Sequence, residues 1–399
     1  MPINFQQAQQ QIREMGQQAG QRRSEQQSRL ERARALLAEY AAQVDVLYHR
    51  AERALDKNPR LRCALPVAGD ETRLDDSIAP LRLTEPYVLL AADGSQITPD
   101  RHAPVQFAVV NVGAIRIATG QGQPPKEFTR SELHFFQESF DEGGMWGEDL
   151  VALMRDLAER EMLAQLAASE SAPVVALTDG PLEMYRDPRD SAEFRKRLAE
   201  YRRVLERLAE LQTAAAGYVD KPFSDLVVRL LEVAELPDDR LDQAGKTHPL
   251  AGAYDLALFR ELLAPGERST VFAIHSGFSS VFSAEFALHF FYLNVGLPRQ
   301  NGLGGHPWIA RVEIPRWVAE NSSLINLLHS ALLSQCRQLG ARPYPYILQR
   351  SHEIALVSLD EKDQLETMII QELRRQGIDV EETSYKQAAK DGAPRRRYS

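Results

Sequence analysis

The sequence predicts an α/β protein: a mixed sheet core flanked by helices, with a long helix before it and further strands and helices after it. Two observations carry that expectation. Between residues 86 and 136, strand-like apolar runs follow one another with no helical stretch between them. After residue 148, similar runs alternate with amphipathic helical segments. Strands joined by short turns pair antiparallel, whereas strands joined through a helix pair parallel, so the sheet must be mixed.

Residues 4–57 read as one long helix. From Leu30 its apolar seam runs Leu30, Ala33, Leu37, Tyr40, Val44, Leu47, Ala51 and Ala54, in steps of three and four, until Asn58-Pro59 stops it. Such a seam suits a dimerisation or partner-binding helix, and equally a helix packed on its own domain. The first strand is Tyr87 to Ala92, ending at Asp93-Gly94-Ser95; Val105 to Ile117 and Ser131 to Phe136 follow it. A helix over 148–168 leads to a buried-type strand, Ala172 to Thr178, closed by Asp179-Gly180-Pro181. A second helix over 191–213, apolar at Phe194, Leu198, Tyr201, Leu205 and Leu208, leads to the brief strand Gly217-Tyr218-Val219 and then Asp220-Lys221-Pro222.

Residues 223–268 read as an insertion with charge-rich turns such as Pro237-Asp238-Asp239-Arg240. Strands are expected at Thr270 to His275, Ala287 to Asn294 and Trp308 to Ile314, and helices at 316–339 and 346–376, before a basic tail at Pro394 to Arg397. The implied organisation is an N-terminal helical segment (1–60), a main domain (85–390) and a tail (391–399). The main domain divides into a core (85–222), the insertion (223–268) and a C-terminal part (269–390).

Composition narrows the function. At 44% hydrophobic and 26% charged residues the chain can bury a core, so wholesale disorder is excluded. No apolar window is long enough to span a membrane, and the Gln-rich first thirty residues hold no apolar signal core, so a cytoplasmic protein is expected. Two isolated cysteines, Cys63 and Cys336, make neither a disulfide framework nor a zinc site. The net charge of −9 argues against a protein that coats DNA through a broad basic surface, and leaves open an enzyme with a local basic channel.

The candidates for chemistry are few. Asp93 and Asp179 each follow an apolar strand, where a sheet holds a carboxylate rigidly enough to ligate a metal; Asp-Gly after a strand is also an ordinary turn. Glu161, on the helix leading to Asp179, reaches toward the same sheet edge, whereas Glu159 is expected to point elsewhere. In Tyr344-Pro345-Tyr346, the proline fixes the entry to a helix carrying His352, which can move a proton or bind a metal. Carboxylates suit Mg²⁺ or Mn²⁺, a histidine tilts the preference toward Mn²⁺, and two such ions together hydrolyse phosphodiesters.

Leu90-Ala91-Ala92-Asp93-Gly94-Ser95, Glu161 ahead of Thr178-Asp179-Gly180-Pro181-Leu182, Gly217-Tyr218-Val219-Asp220-Lys221, and Tyr344-Pro345-Tyr346 with His352 occur in one order. That ordered set resembles the NurA family of DNA end-processing nucleases from about residue 85 to 390. The resemblance implies an RNase H-like core, a homodimer with a central channel, and manganese-dependent 5′-to-3′ exonuclease activity on single- and double-stranded DNA, with Mg²⁺ a possible substitute. It also implies a partner, the hexameric DNA-translocating ATPase HerA. Asp93, Glu161 and Asp179 match the family's metal-binding acids; Tyr344 and His352 match the residues that complete its site, and Lys221 its substrate-contacting basic residue. Two other readings compete: an inactive DNA-end-binding dimer that couples a motor to DNA, and a coiled-coil adaptor.

Overall fold

The computed structural model describes residues 3–58, 61–67, 73–100, 103–135, 140–141, 144–145, 147–182, 192–275, 287–298, 306–340, 342–378 and 380. Pro59, Phe136 and the basic tail lie outside them. In chain order the elements are α1 (Phe5–Tyr40), α2 (Val44–Lys57), β1 (Cys63–Pro66), β2 (Ser77–Ile78), β3 (Val88–Ile97), β4 (Phe107–Ala118), β5 (Lys126–Phe135), β6 (Phe140–Asp141), β7 (Gly144–Met145), α3 (Glu148–Ala167), β8 (Val174–Asp179) and α4 (Ala192–Glu210). There follow β9 (Ala214–Val219), α5 (Leu226–Glu235), a 3-10 turn (Asp238–Gln243), α6 (Asp255–Leu262), β10 (Arg268–Ser269), β11 (Phe272–His275), β12 (Leu288–Asn294), β13 (Ile309–Pro315), α7 (Arg316–Ala319), α8 (Ser322–Cys336), α9 (Tyr346–Ala355) and α10 (Leu359–Arg375). They fall into two compact units: 1–84 with 180–184 and 214–345, and 85–179 with 185–213 and 346–399. Among the described residues no helix is long and apolar enough to cross a membrane.

In the first unit, β1, β11, β12, β13 and β9 pair antiparallel in that order, and β10 joins β12 to β2. The single helix expected over 4–57 is two. It breaks after Tyr40, where the Gln43 N–H turns back to the Tyr40 carbonyl at 2.8 Å and the Ala41 carbonyl accepts from the Leu74 N–H at 3.0 Å. The seam from Leu30 to Ala54 is covered within the chain. Leu30, Ala33, Leu37, Val44, Leu47, Ala51 and Ala54 are all buried, and α1 and α2 pack on α5. Those residues are therefore core, and the adaptor reading loses its only support. The stretch 223–268 is equally integrated: every α5 residue from Leu226 to Ala234 is buried, and Val233, Leu241 and Ala244 share a core with Ala54 and Cys63.

The second unit contains the mixed sheet. β5, β4 and β3 pair antiparallel, and β8 joins β3 in parallel after the α3 crossover. This is the mixed sheet flanked by helices expected from the sequence. Strand β3 runs on through Asp93-Gly94 to Ile97 instead of ending there, because its ladder to β4 continues to Ile97↔Val109. The helix expected over 346–376 is also two, since Ser358 starts α10 afresh with a capping box to Glu361. Similarly, Asn321 caps α8 and separates it from α7.

Side chains alternate between the faces of a strand, and the two faces of this sheet receive different helices. A Cβ built on Gly94 would meet Arg155 and Glu159 of α3, whereas one on Gly113 would meet the α9 backbone, 2.4 Å from the Ala355 nitrogen. The α9 terminus is tied down there: Ser95 Oγ and Asn111 Nδ2 donate to the Ala355 carbonyl at 2.6 and 2.7 Å, and Ser131 Oγ donates to Asn111 Oδ1 at 2.6 Å. Beyond it, Ile369 of α10 packs with Ile97, Val105, Phe107 and Val109.

Gly113→Ala should therefore push α9 off the sheet. A methyl group forced against backbone has no flexible neighbour to yield, and overpacking of this kind costs about 1–3 kcal/mol. Urea unfolding of the variant should show that loss with an unchanged m-value; wild-type stability would mean that α9 does not sit as described.

Candidate active site

Asp93 occupies the middle of β3, and its pairing partner Gly113 puts it on the sheet face that receives α9. Its Oδ1 accepts from the Gly94 N–H at 2.9 Å, and its Oδ2 stands 2.7 Å from Nδ1 of His352, on α9. The carboxylate is largely enclosed while the imidazole is half-exposed, at 19% and 55% of their side-chain areas. The pair thus joins a fixed group to one that solvent or a ligand can reach.

Asp179 ends β8. The parallel register places Ala92 opposite Thr178, so one further step sets Asp179 alongside Asp93 on the same face. Adjacent strands lie about 4.8 Å apart, so the two residues are neighbours at the level of the backbone. Gly180 then turns the chain with φ +82°, a conformation glycine adopts without strain.

The acids of α3 are arranged differently from the expectation. Glu161 Oε2 accepts from Arg130 Nη2 at 2.9 Å, and Arg130, on β5, also donates to the Ala158 carbonyl, so this ion pair lies on the α3 side of the sheet. Glu159 is the α3 carboxylate directed at β3. It is buried against Gly94, with Oε1 3.5 Å from Arg155 and Oε2 3.3 Å from Arg160. Two residues along a helix correspond to about 200° of rotation, so only one of these two glutamates can face the strand, and helix packing selects Glu159. No spacing in the sequence marks Glu159; its burial with Arg160 among the otherwise apolar buried residues of α3 is a property of the fold.

Burial pushes the Glu159 carboxyl up to about 8, although Arg160 and Arg155 pull it down; the neighbouring charges of Asp156 and Asp93 add to the rise. Arg160 is itself held over the Tyr201 ring, 5.2 Å from its centroid.

Lys221 and Tyr344 belong to the first unit. Lys221, at φ +44°, sets its ammonium 3.8 Å from the centroid of the Trp308 ring. Tyr344 meets Tyr218 edge-on at 5.6 Å. Of the expected residues, the structure thus gathers Asp93, Asp179 and His352 on one sheet face and turns Glu161 to Arg130 on the other side.

Among the described residues no three of His, Cys, Asp and Glu stand close enough together to enclose a metal ion. In donor type the α9 face nonetheless fits a hard divalent cation: oxygens from Asp93 and Asp179 with one imidazole.

The raised Glu159 value carries a sign. Its ionisation opposes folding, so the penalty is absent at acid pH, grows above the ordinary carboxylate range and is complete above about 8. The melting-temperature difference between Glu159→Gln and wild type should therefore move in the variant's favour between pH 5 and pH 9. A flat difference would mean that Arg155 and Arg160 keep Glu159 ionised throughout.

Comparison with known proteins agrees with the order of motifs. No curated protein matches the chain. Among solved structures, the crystal structure of the NurA nuclease from Sulfolobus solfataricus is similar over 74% of this chain and 86% of that chain, at 12% identity and a TM-score of 0.46. The NurA domain model matches residues 87–357, which takes in Asp93, Glu159, Asp179 and His352 and well over half of the sequence. On that match, the chain belongs to the NurA family.

Proposed function

We propose that this chain is a metal-dependent DNA nuclease, and more specifically a 5′-to-3′ exonuclease on single- and double-stranded DNA that works in end resection. The observation that carries the reading is the Asp93–His352 contact on a sheet face shared with Asp179, inside the matched domain. Asp93, Asp179 and His352 are the residues assigned to hold Mn²⁺, with Mg²⁺ as the substitute. When bound, such ions polarise the scissile phosphate and supply hydroxide near neutral pH, in pairs where two sites form.

The remaining steps fall to the protein's own groups. With Nδ1–H donated to Asp93, His352 has Nε2 on its exposed side for one of two roles: completing the ligands of the cation or, where the acids alone hold it, taking a proton from water and returning one to the leaving oxygen. Asp93 fixes the tautomer and the ring orientation. Of the α3 acids, Glu161 is the one that the order of motifs assigns to the site, and Glu159, buried against Gly94, is the α3 carboxylate nearest β3. Lys221 is assigned to a substrate phosphate and Tyr344 to orienting the strand. The homodimer and the HerA-type hexameric ATPase belong to the same reading through family membership. Light scattering tests the first, and co-purification with the ATPase tests the second.

Single-turnover cleavage of end-labelled DNA in saturating Mn²⁺ tests the chemistry. EDTA should abolish cleavage, and Asp93→Asn should do the same while lowering the Mn²⁺-induced rise in melting temperature. His352→Ala should slow cleavage on the order of 10²–10⁴-fold with DNA binding retained. Wild-type protein that binds DNA and never cleaves it would favour the inactive end-binding reading; a His352→Ala rate within about threefold of wild type would remove the histidine from the chemistry.

A further inference from the structure

Phe223 is the most exposed large apolar side chain among the described residues, at 80% of its surface. It does not hang on a loose loop. Its ring meets Tyr254 edge-on, with centroids 6.1 Å apart and planes at 86°, which leaves a face of the phenyl open. The two backbone segments that carry these rings are bound to each other. Asp255, next to Tyr254, donates its N–H to the Ser224 carbonyl at 3.0 Å. The buried Asp255 carboxylate in turn accepts from the N–H groups of Val227 and Val228 at 3.0 and 2.9 Å, at the start of α5, and from the Tyr292 hydroxyl at 2.6 Å. An exposed aromatic ring is thus mounted on a rigid base.

A cation stands beside it in the chain. Lys221 lies two residues before Phe223, and the buried Pro222 fixes the backbone between them. Lys221 is one of two non-glycine residues with positive φ among the described residues, a strained conformation that persists where surrounding structure imposes it. Its ammonium rests over Trp308, whose Nε1–H donates to Asp220 Oδ1 at 2.6 Å. Lys221 and Phe223 are two residues apart, so the Cα atoms that carry the cation and the ring stand at most about 7 Å from each other.

We propose that Phe223, braced by Tyr254 and flanked by Lys221, is a stacking platform for one base of an unpaired nucleic-acid strand, with Lys221 contacting its phosphate. This site extends the Lys221 assignment and rests on the DNA-acting function proposed above. The chemistry favours an unpaired strand because a π-face and a cation side by side serve a base and its phosphate at once, and a base offers its face to a ring only when it is unstacked. A buried apolar partner would instead be expected to avoid a neighbouring ammonium.

The test is binding of the full-length protein to a short fluorescein-labelled poly-thymidine oligonucleotide in EDTA, read by anisotropy. Phe223→Ala should weaken binding on the order of 5- to 150-fold, the range that base stacking on an aromatic ring covers, with an unchanged melting temperature. Phe223→Trp should restore it, and blunt duplex binding should change little. Three outcomes overturn the platform: Phe223→Ala binding like wild type, wild type failing to bind the oligonucleotide, or Phe223→Ala altering only the mass in light scattering, which marks a protein contact. Because the readout needs no cleavage, wild type that binds the strand through Phe223 yet stays inert in Mn²⁺ supports the platform while refuting the nuclease.

Discussion

The arrangement of the candidate site depends on one close approach, that of the α9 backbone to Gly113. No other residue type leaves room for the Ala355 nitrogen there. The approach is what brings His352, one turn earlier on α9, into contact with Asp93 on the neighbouring strand. The Ala355 carbonyl, an acceptor that a helix leaves unpaired at its C-terminus, is satisfied instead by Ser95 and Asn111. Sterics set the distance and the hydrogen bonds set the rotation, so the histidine is aimed by the sheet rather than by its own surroundings. That explains how a half-exposed side chain can keep a defined position.

The opposite face is governed by charge. Gly94 admits α3 as Gly113 admits α9, and what α3 delivers is a buried group of Arg155, Glu159 and Arg160. Two arginines against one fully buried carboxylate would ordinarily hold it ionised, yet desolvation and the nearby Asp156 and Asp93 act against them. Desolvation is the largest of these effects, and it carries the carboxyl well above the ordinary carboxylate range. Glu161 is paired with Arg130 and is partly exposed.

How much of this was legible in the sequence differs from residue to residue. The strands and crossover helices were legible because their apolar periods are clean, and Asp93, Asp179 and His352 because each follows or carries a recognisable motif. What failed involves non-local bonds. No glycine or proline near Tyr40 marks the break there, where the Ala41 carbonyl turns to the distant Leu74 N–H. The seam from Leu30 to Ala54 has a coiled-coil spacing, but spacing does not reveal whether the covering surface belongs to another chain or, as here, to α5 of the same one. For the α3 acids, counting residues back from Asp179 leads to Glu161, but spacing alone does not fix the rotation of α3, which turns Glu159 toward Gly94 and Glu161 toward Arg130.

The two residues that lie after β9 illustrate the complementary case. Lys221 was picked out by its place after a short strand, whereas Phe223 carries no motif. Its meaning comes from exposure combined with rigidity, which only the fold supplies: Asp255 must be buried under α5 for Tyr254 to brace the ring. An overall charge of −9 does not conflict with a strand-binding role for this corner. Stacking depends little on net charge, and a single ammonium held over Trp308 acts within a Debye length of about 8 Å at physiological salt. Local aromatic contact with one fixed cation is therefore a way for an acidic protein to hold a polyanion without a basic surface.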